Sequence, residues 1–222
     1  MNEIFPGIFM LEQGRRKRIF TRNFVPGKKA FQESLYTYNG VEYREWNPTR
    51  SKLAAGIAKG IKLPTLQEGS FILYLGAAAG NTVSYLSDII GPEGMIFAVE
   101  FSPKVTRQLV YLSEVRPNVA PILADAGQPQ KYLHLALQAD FLFQDIAQRE
   151  QVEIFLKNVK LFLKDKGYCM LALKARSIDV AENPKKLFAM AKAQLQKDVI
   201  VHDMIPLEPF EKDHALFVCQ KK

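Results

Sequence analysis

Beyond Pro64 the chain alternates short β-branched and aromatic runs with stretches of helical apolar period, and few folds accommodate that alternation. The spacing predicts strands over 71–75, 95–99, 120–123, 141–144, 168–173, 199–205 and 216–220. Parallel strands need a crossover between them, which the intervening helical stretches supply. The last two candidates are separated only by 206–215, too short for a crossover helix, so they should pair antiparallel at one edge. The expected architecture is α/β, a seven-stranded, mostly parallel sheet with helices on both faces. A length of 222 residues, 48% hydrophobic and 24% charged, suits one such domain plus a small appendage and excludes disordered, collagenous and coiled-coil classes.

Residues 1–47 follow a different rhythm, short and alternating, punctuated by Pro6-Gly7, Gly14, Pro26-Gly27 and Asn39-Gly40. Asn39-Gly40 between 35–38 and 41–44 is a two-residue hairpin signal. A small antiparallel β subdomain is expected over 1–47, with the second domain over 48–222. Its first helix should begin after Asn47-Pro48, place Leu53, Ile57 and Ile61 on one face, and stop at Leu63-Pro64.

The formal charge of +7 lies wholly in the first 64 residues, which hold 12 Lys or Arg against 5 Asp or Glu; the remainder holds 18 of each. Arg15-Arg16-Lys17-Arg18, Arg22 and Lys28-Lys29 are interleaved with Phe20, Phe24 and Phe31, a mixture that suits a polyanion with stackable bases. A solvated basic face is the plainer reading. Cys169 and Cys219 sit in apolar alternating runs as buried thiols would. His134, His202 and His214 fall at no ligand spacing, so no metal is expected. The strongly apolar stretch 71–79 is too short to span a membrane, and the apolar start at 4–11 lacks a basic leader, so a soluble, cytoplasmic chain with no membrane partner is expected.

The first strand of the α/β part runs into Gly76-Ala77-Ala78-Ala79-Gly80-Asn81-Thr82, a turn that brings backbone close to a ligand and opens a helix with free N–H groups. Twenty residues after Gly80, Glu100 ends the next strand, where an acid can hold both ribose hydroxyls of an adenosine. Asp125 and Asp145 end the third and fourth strands. Each acid alone suits a helix cap; three in register suggest a ligand crevice. Acids rather than basic phosphate binders point to adenosine without pyrophosphate and with a positive centre, a description that S-adenosylmethionine fits. Lys174 interrupts an apolar strand at its end and, beside a carboxylate, can position or deprotonate a hydroxyl. Lys52 and His214 are further candidates, although each alone reads as a surface residue.

The stretches Tyr43-Arg44-Glu45-Trp46-Asn47-Pro48-Thr49-Arg50-Ser51-Lys52, Tyr74-Leu75-Gly76-Ala77-Ala78-Ala79-Gly80, Val99-Glu100-Phe101-Ser102-Pro103, Gln144-Asp145-Ile146-Ala147-Gln148, Lys174-Ala175-Arg176-Ser177 and Pro209-Phe210-Glu211-Lys212-Asp213-His214 closely resemble fibrillarin. The similarity runs from about Tyr43 onward; residues 1–42 match loosely. A glycine- and arginine-rich tail of the eukaryotic members is missing, so the chain is similar to the archaeal type. The resemblance implies a Rossmann-like methyltransferase fold and an RNA 2′-O-methyltransferase using S-adenosylmethionine, directed to ribosomal or transfer RNA by a box C/D guide RNA. It also implies two protein partners, a Nop-domain scaffold protein and a kink-turn-binding ribosomal-type protein. By the same resemblance, cofactor contacts fall on Gly76, Ala77, Gly80, Asn81, Thr82, Glu100, Phe101, Asp125, Ala126, Asp145, Ile146, Ala147 and Gln148, and a catalytic tetrad on Lys52, Asp145, Lys174 and His214. Asn81 stands where many relatives have Thr; its amide still offers hydrogen bonds.

Three other readings stay open at the level of sequence: a non-catalytic RNA-binding or scaffold protein on this fold, a nicotinamide oxidoreductase, and a methyltransferase acting on protein glutamine. The absence of G-x-G-x-x-G and the acid-rich crevice count against the second.

Overall fold

In a computed structural model, which describes residues 1–14, 16–64 and 66–222, the N-terminal part is a five-stranded antiparallel sheet. Its strands are β1 (Asn2–Phe5), β2 (Ile8–Gln13), β3 (Arg16–Arg22), β4 (Leu35–Tyr38) and β5 (Val41–Trp46), in the order β1-β2-β3-β5-β4. Asn39 at φ 50° and Gly40 at φ 76° make the turn between β4 and β5, as a two-residue hairpin requires. Both faces of this sheet are covered near β3, since Ile19 and Phe20, side by side on opposite faces, are fully buried.

That burial corrects one expectation. Phe20 packs edge-on against Tyr36 at 5.2 Å and is not available to a nucleic-acid base. Arg18 is likewise committed within the sheet, gripping Glu45 at 2.7 and 2.6 Å, hydrogen-bonding the Tyr36 hydroxyl and lying 4.3 Å over its ring. Arg22, Lys28 and Lys29 are exposed. Arg15 lies outside the described residues.

A short 3₁₀ turn over Pro48–Arg50 leads into α1 (Lys52–Ala58), whose N-cap Ser51 accepts a hydrogen bond from the Ala54 amide. The helix is shorter than expected: Gly60, at φ 83°, ends it in the left-handed conformation that glycine adopts without strain. Leu53, Ile57 and Ile61 are nevertheless all buried. Gly56 lets α1 approach β12 (His214–Lys221) closely; a Cβ there would lie 2.5 Å from Leu216 Cδ2.

The remaining elements are β6 (Phe71–Leu75), α2 (Asn81–Ile90), β7 (Met95–Glu100), α3 (Pro103–Val115), β8 (Val119–Leu123), β9 (Ala139–Gln144), α4 (Gln151–Phe162), β10 (Leu163–Lys174), α5 (Ala175–Ile178), α6 (Pro184–Asp198), β11 (Val199–Pro206) and β12. They build a seven-stranded sheet ordered β11-β12-β10-β9-β6-β7-β8. Strands β6 to β10 are mutually parallel, and β12 is antiparallel to both β10 and β11. The expected mostly parallel sheet with an antiparallel last strand is therefore the observed one. Cys169 and Cys219 face each other across β10 and β12, both fully buried; burial raises both thiols, that of Cys219 to about 12.

One face of the large sheet shares its core with the small one: Ile8, Ile19 and Trp46 pack in the same cluster as Leu53, Tyr85, Leu86 and Leu216. Asp88 on α2 anchors the contact. Its carboxylate accepts from Thr21 Oγ1 at 2.6 Å, Phe24 N at 3.0 Å, Arg44 Nη1 at 2.7 Å and Arg116 Nη1 at 2.6 Å. A buried acid with every lone pair engaged is tolerated because it is paired and fully hydrogen-bonded. No helix among the described residues is long and apolar enough to cross a membrane.

Candidate active site

Four neighbouring strands, in the spatial order β9-β6-β7-β8, end at one rim of the sheet and are followed there by Asp145, Gly76, Ser102 and Asp125, with Glu100 as the last residue of β7. Lys174 ends β10 beside them. Because β12 runs the opposite way, its first residue, His214, lies at the same rim in direct register with Lys174. Lys52 opens α1 and reaches this rim from the N-terminal side. Residues from seven segments thus converge at the carboxyl edge, the position where open α/β sheets bind ligands.

The turn after β6 is fixed by main-chain bonds. Gly76 N and Ala77 N both reach Val99 O at 3.0 Å, and Gly80 N reaches Ala77 O at 2.9 Å. Gly76 has φ 77°, and a Cβ there would lie 2.2 Å from Asp145 O, so the turn and the segment after β9 touch backbone to backbone. Glu100, 7% exposed, accepts from Ala78 N at 3.0 Å and Ser102 N at 2.9 Å. A carboxylate has about four acceptor positions, so two remain for the hydroxyls expected there. Phe101 is 69% exposed at the rim, an aromatic face with room for a flat ring.

Asp125 does take the local role that an acid after a strand suggests. It accepts from Gly127 N at 2.8 Å and Gln128 Nε2 at 2.9 Å, and these bonds hold its carboxyl below the usual carboxylate range. Ala126 is buried behind it. Thr82 spends its hydroxyl on Ser51 Oγ at 3.0 Å, tying the start of α2 to the cap of α1 and hence to Lys52. Asn81, Ile146, Ala147 and Gln148 are at the rim and at least partly accessible.

Lys52 Nζ lies 2.9 Å from Asp145 Oδ2, with side chains 20% and 24% exposed. The other Asp145 oxygen has no protein donor among the described residues. His214 donates from Nδ1 to Lys212 O at 2.7 Å; a carbonyl can only accept, so the neutral ring presents Nε2 as an acceptor. Burial pushes the imidazole below its ordinary value, and the positive charge of Lys52 adds to the effect, against the raising influence of the Lys212 carbonyl.

The main chain of Lys174 does not bond to β12. Its neighbour Ala175 N donates to Asp213 O at 3.0 Å, and His214 O accepts from Leu207 N at 2.9 Å on the other side. Lys174 and His214 are therefore a non-hydrogen-bonded antiparallel pair, the kind with Cα atoms only about 4.5 Å apart and side chains on one face. Sequence alone does not mark Gln151, a polar residue at a helix start that reads as solvent-facing. It is fully buried, and its carboxamide binds both Lys174 N at 2.9 Å and Lys174 O at 3.0 Å.

A model of the Fibrillarin family matches residues 1–222. The "Fibrillarin-like rRNA/tRNA 2'-O-methyltransferase" of Thermococcus onnurineus is 46% identical over 218 residues, 98% of this chain and 96% of that protein. Two solved structures align with TM-scores of 0.90: the Aeropyrum pernix fibrillarin with natively bound S-adenosyl-L-methionine, 44% identical over 98% of this chain and 96% of that one, and the fibrillarin of a fibrillarin/Nop5p complex, 37% identical over the whole of both. With its full length matched and the motif residues gathered at one rim, this chain belongs to the fibrillarin family.

Proposed function

We propose that the chain is an S-adenosylmethionine-dependent methyltransferase acting on the ribose 2′-hydroxyl of ribosomal or transfer RNA. The observation that carries the reading is the meeting, at one sheet edge, of the Gly76–Gly80 turn and Glu100 with the Lys52–Asp145 pair and the Lys174/His214 pair. The donor set suits the cofactor: a buried carboxylate with two acceptor positions left for ribose, an exposed Phe101 for a purine, and no arginine or lysine in the glycine turn that would call for a pyrophosphate.

S-adenosylmethionine, when bound, supplies a methyl group on a positively charged sulfur, so transfer needs an oxygen held in line and relieved of its proton. Lys174 is assigned to the 2′-oxygen, where an ammonium stabilises developing negative charge and an amine accepts the proton. Asp145 lies on the adjoining strand end and, through its oxygen not used by Lys52, orients the hydroxyl or the lysine. Lys52 fixes the Asp145 rotamer, and His214, with Nε2 open, lines the same face as Lys174. Asn81, Thr82, Asp125, Ala126 and Ile146 to Gln148 complete the assigned cofactor surroundings around Gly76, Ala77 and Gly80.

The finer reading includes a box C/D guide RNA that selects the target, a Nop-domain scaffold of the Nop5p kind, a kink-turn-binding ribosomal-type protein, and action in the cytoplasm. The basic 1–47 sheet then serves as an appendage to the 48–222 catalytic domain. The test is methyl transfer from labelled S-adenosylmethionine in a particle reconstituted with guide RNA. Label should enter a guide-matched RNA at one ribose and be absent from a mismatched RNA and from Lys174→Ala, which should still bind cofactor in calorimetry. A chain that binds no S-adenosylmethionine would be the non-catalytic RNA-binding protein instead.

A further inference from the structure

Strand β10 runs three residues past its ladder with β9, and Lys174 is the last of them. Its ladder with β9 ends at Leu171 paired with Gln144, the last residue of β9, and the next residue, Asp145, continues only the ladder with β6, its N bonding Leu75 O at 2.9 Å. Lys174 therefore projects beyond the ladder with its N–H and C=O both facing the side that β9 has left. An unpaired main-chain donor and acceptor there would let the strand end drift.

We infer that Gln151 is a positioning residue for methyl transfer, acting as a substitute strand residue that fixes the backbone of Lys174. Its Oε1 accepts from Lys174 N at 2.9 Å and its Nε2 donates to Lys174 O at 3.0 Å, the same two bonds a neighbouring strand would make. The Nε2 group also donates to Gln148 O at 3.0 Å, joining the strand end to the segment that follows Asp145. Gln144 anchors Gln151 in turn, donating from Nε2 to Gln151 O at 2.6 Å from within the core. The two strand ends that carry Asp145 and Lys174 are thus held together by two buried glutamines. A carboxamide carries a donor and an acceptor on one planar group, as a peptide does, so the fully buried glutamine satisfies both main-chain groups of Lys174.

The inference rests on the methyl-transfer reading. In the reconstituted guide-RNA particle, Gln151→Met should lower kcat on the order of 100-fold through misplacement of Lys174, with the KM for RNA and the Kd for S-adenosylmethionine unchanged. In the same variant the Lys174 amide should lose hydrogen-exchange protection while Leu171 and Leu173 keep theirs. Gln151→Glu retains the acceptor for Lys174 N but loses the donor, so it should keep the amide protected and still lower kcat; it decides the matter if the methionine variant does not fold. Unchanged kcat in a folded variant, or a loss of turnover matched by an equal loss of cofactor affinity, overturns the inference. Inactive wild-type particles would instead count against the methyl-transfer reading, and the exchange experiment would still report whether Gln151 holds Lys174.

Discussion

Lys52 and Asp145, 93 positions apart, meet as an ion pair at 2.9 Å, and this contact bridges the segment after the small sheet to the centre of the large one. With each side chain about one-fifth exposed, the pair should contribute about 1 kcal/mol or less to stability. Its greater effect is on the direction of Asp145. Lys52→Ala should leave the melting temperature and cofactor affinity near wild type while reducing methyl transfer on the order of 100-fold. Single-turnover assays beside thermal unfolding check this, and a fall in melting temperature proportional to the loss of activity would assign the pair to folding instead.

The two glycines that frame the turn should respond differently to an added methyl group. Both have positive φ, which for alanine costs about 1–2 kcal/mol. At Gly80 the new Cβ meets Leu112 Cδ2 at 2.4 Å, the end of a flexible side chain, whereas at Gly76 it meets the Asp145 carbonyl at 2.2 Å. Backbone cannot rotate aside. Gly76→Ala should therefore be the less stable of the two and should lose more S-adenosylmethionine affinity, because Asp145 must move. Calorimetry on both variants that gave equal losses would reject the argument.

His214 makes stability depend on pH in a defined direction. Its folded-state value is depressed by burial, so the unfolded chain binds the proton more readily. The associated stability is fully present above the unfolded value of about 6.5 and is lost as pH falls through the lower folded value. Melting temperature should decline from pH 7 toward pH 5, and His214→Gln should flatten that decline.

The large sheet was legible because strands and crossover helices differ in apolar period, and the hairpin because Asn39-Gly40 carries its own turn preference. The rim was legible in part. Gly76, Glu100, Asp125, Asp145 and Lys174 each follow or end a strand, a position readable in one dimension. Lys52 and His214 could be named as candidates but read singly as surface residues, and only the resemblance gave them a role, since their meeting depends on α1 packing against β12 and on β12 running backward. Gln151 left no trace because its role depends on the β9 ladder ending three residues before β10 does. The basic cluster misled for the opposite reason. Composition shows that Arg18 and Phe20 are charged and aromatic, and only the fold shows that Glu45 and Tyr36 already occupy them.

The location of the free positive charge leads to a prediction about RNA attraction. Arg18 is tied to Glu45 and stacked on Tyr36, while Arg22, Lys28 and Lys29 are exposed. Each side chain that neutralises a phosphate releases counterions and contributes about 0.7 to 0.9 to the slope of log affinity against log salt. Lys28→Ala and Lys29→Ala should each reduce that slope for guide-RNA particle binding and leave melting unchanged. Arg18→Ala should do the reverse, lowering the melting temperature with little change in slope, because its charge is spent inside the sheet. A salt titration in which Arg18→Ala flattened the slope as much as the two lysine variants would show that the Glu45 pair opens to RNA, and the division of the basic residues into structural and phosphate-facing groups would fail.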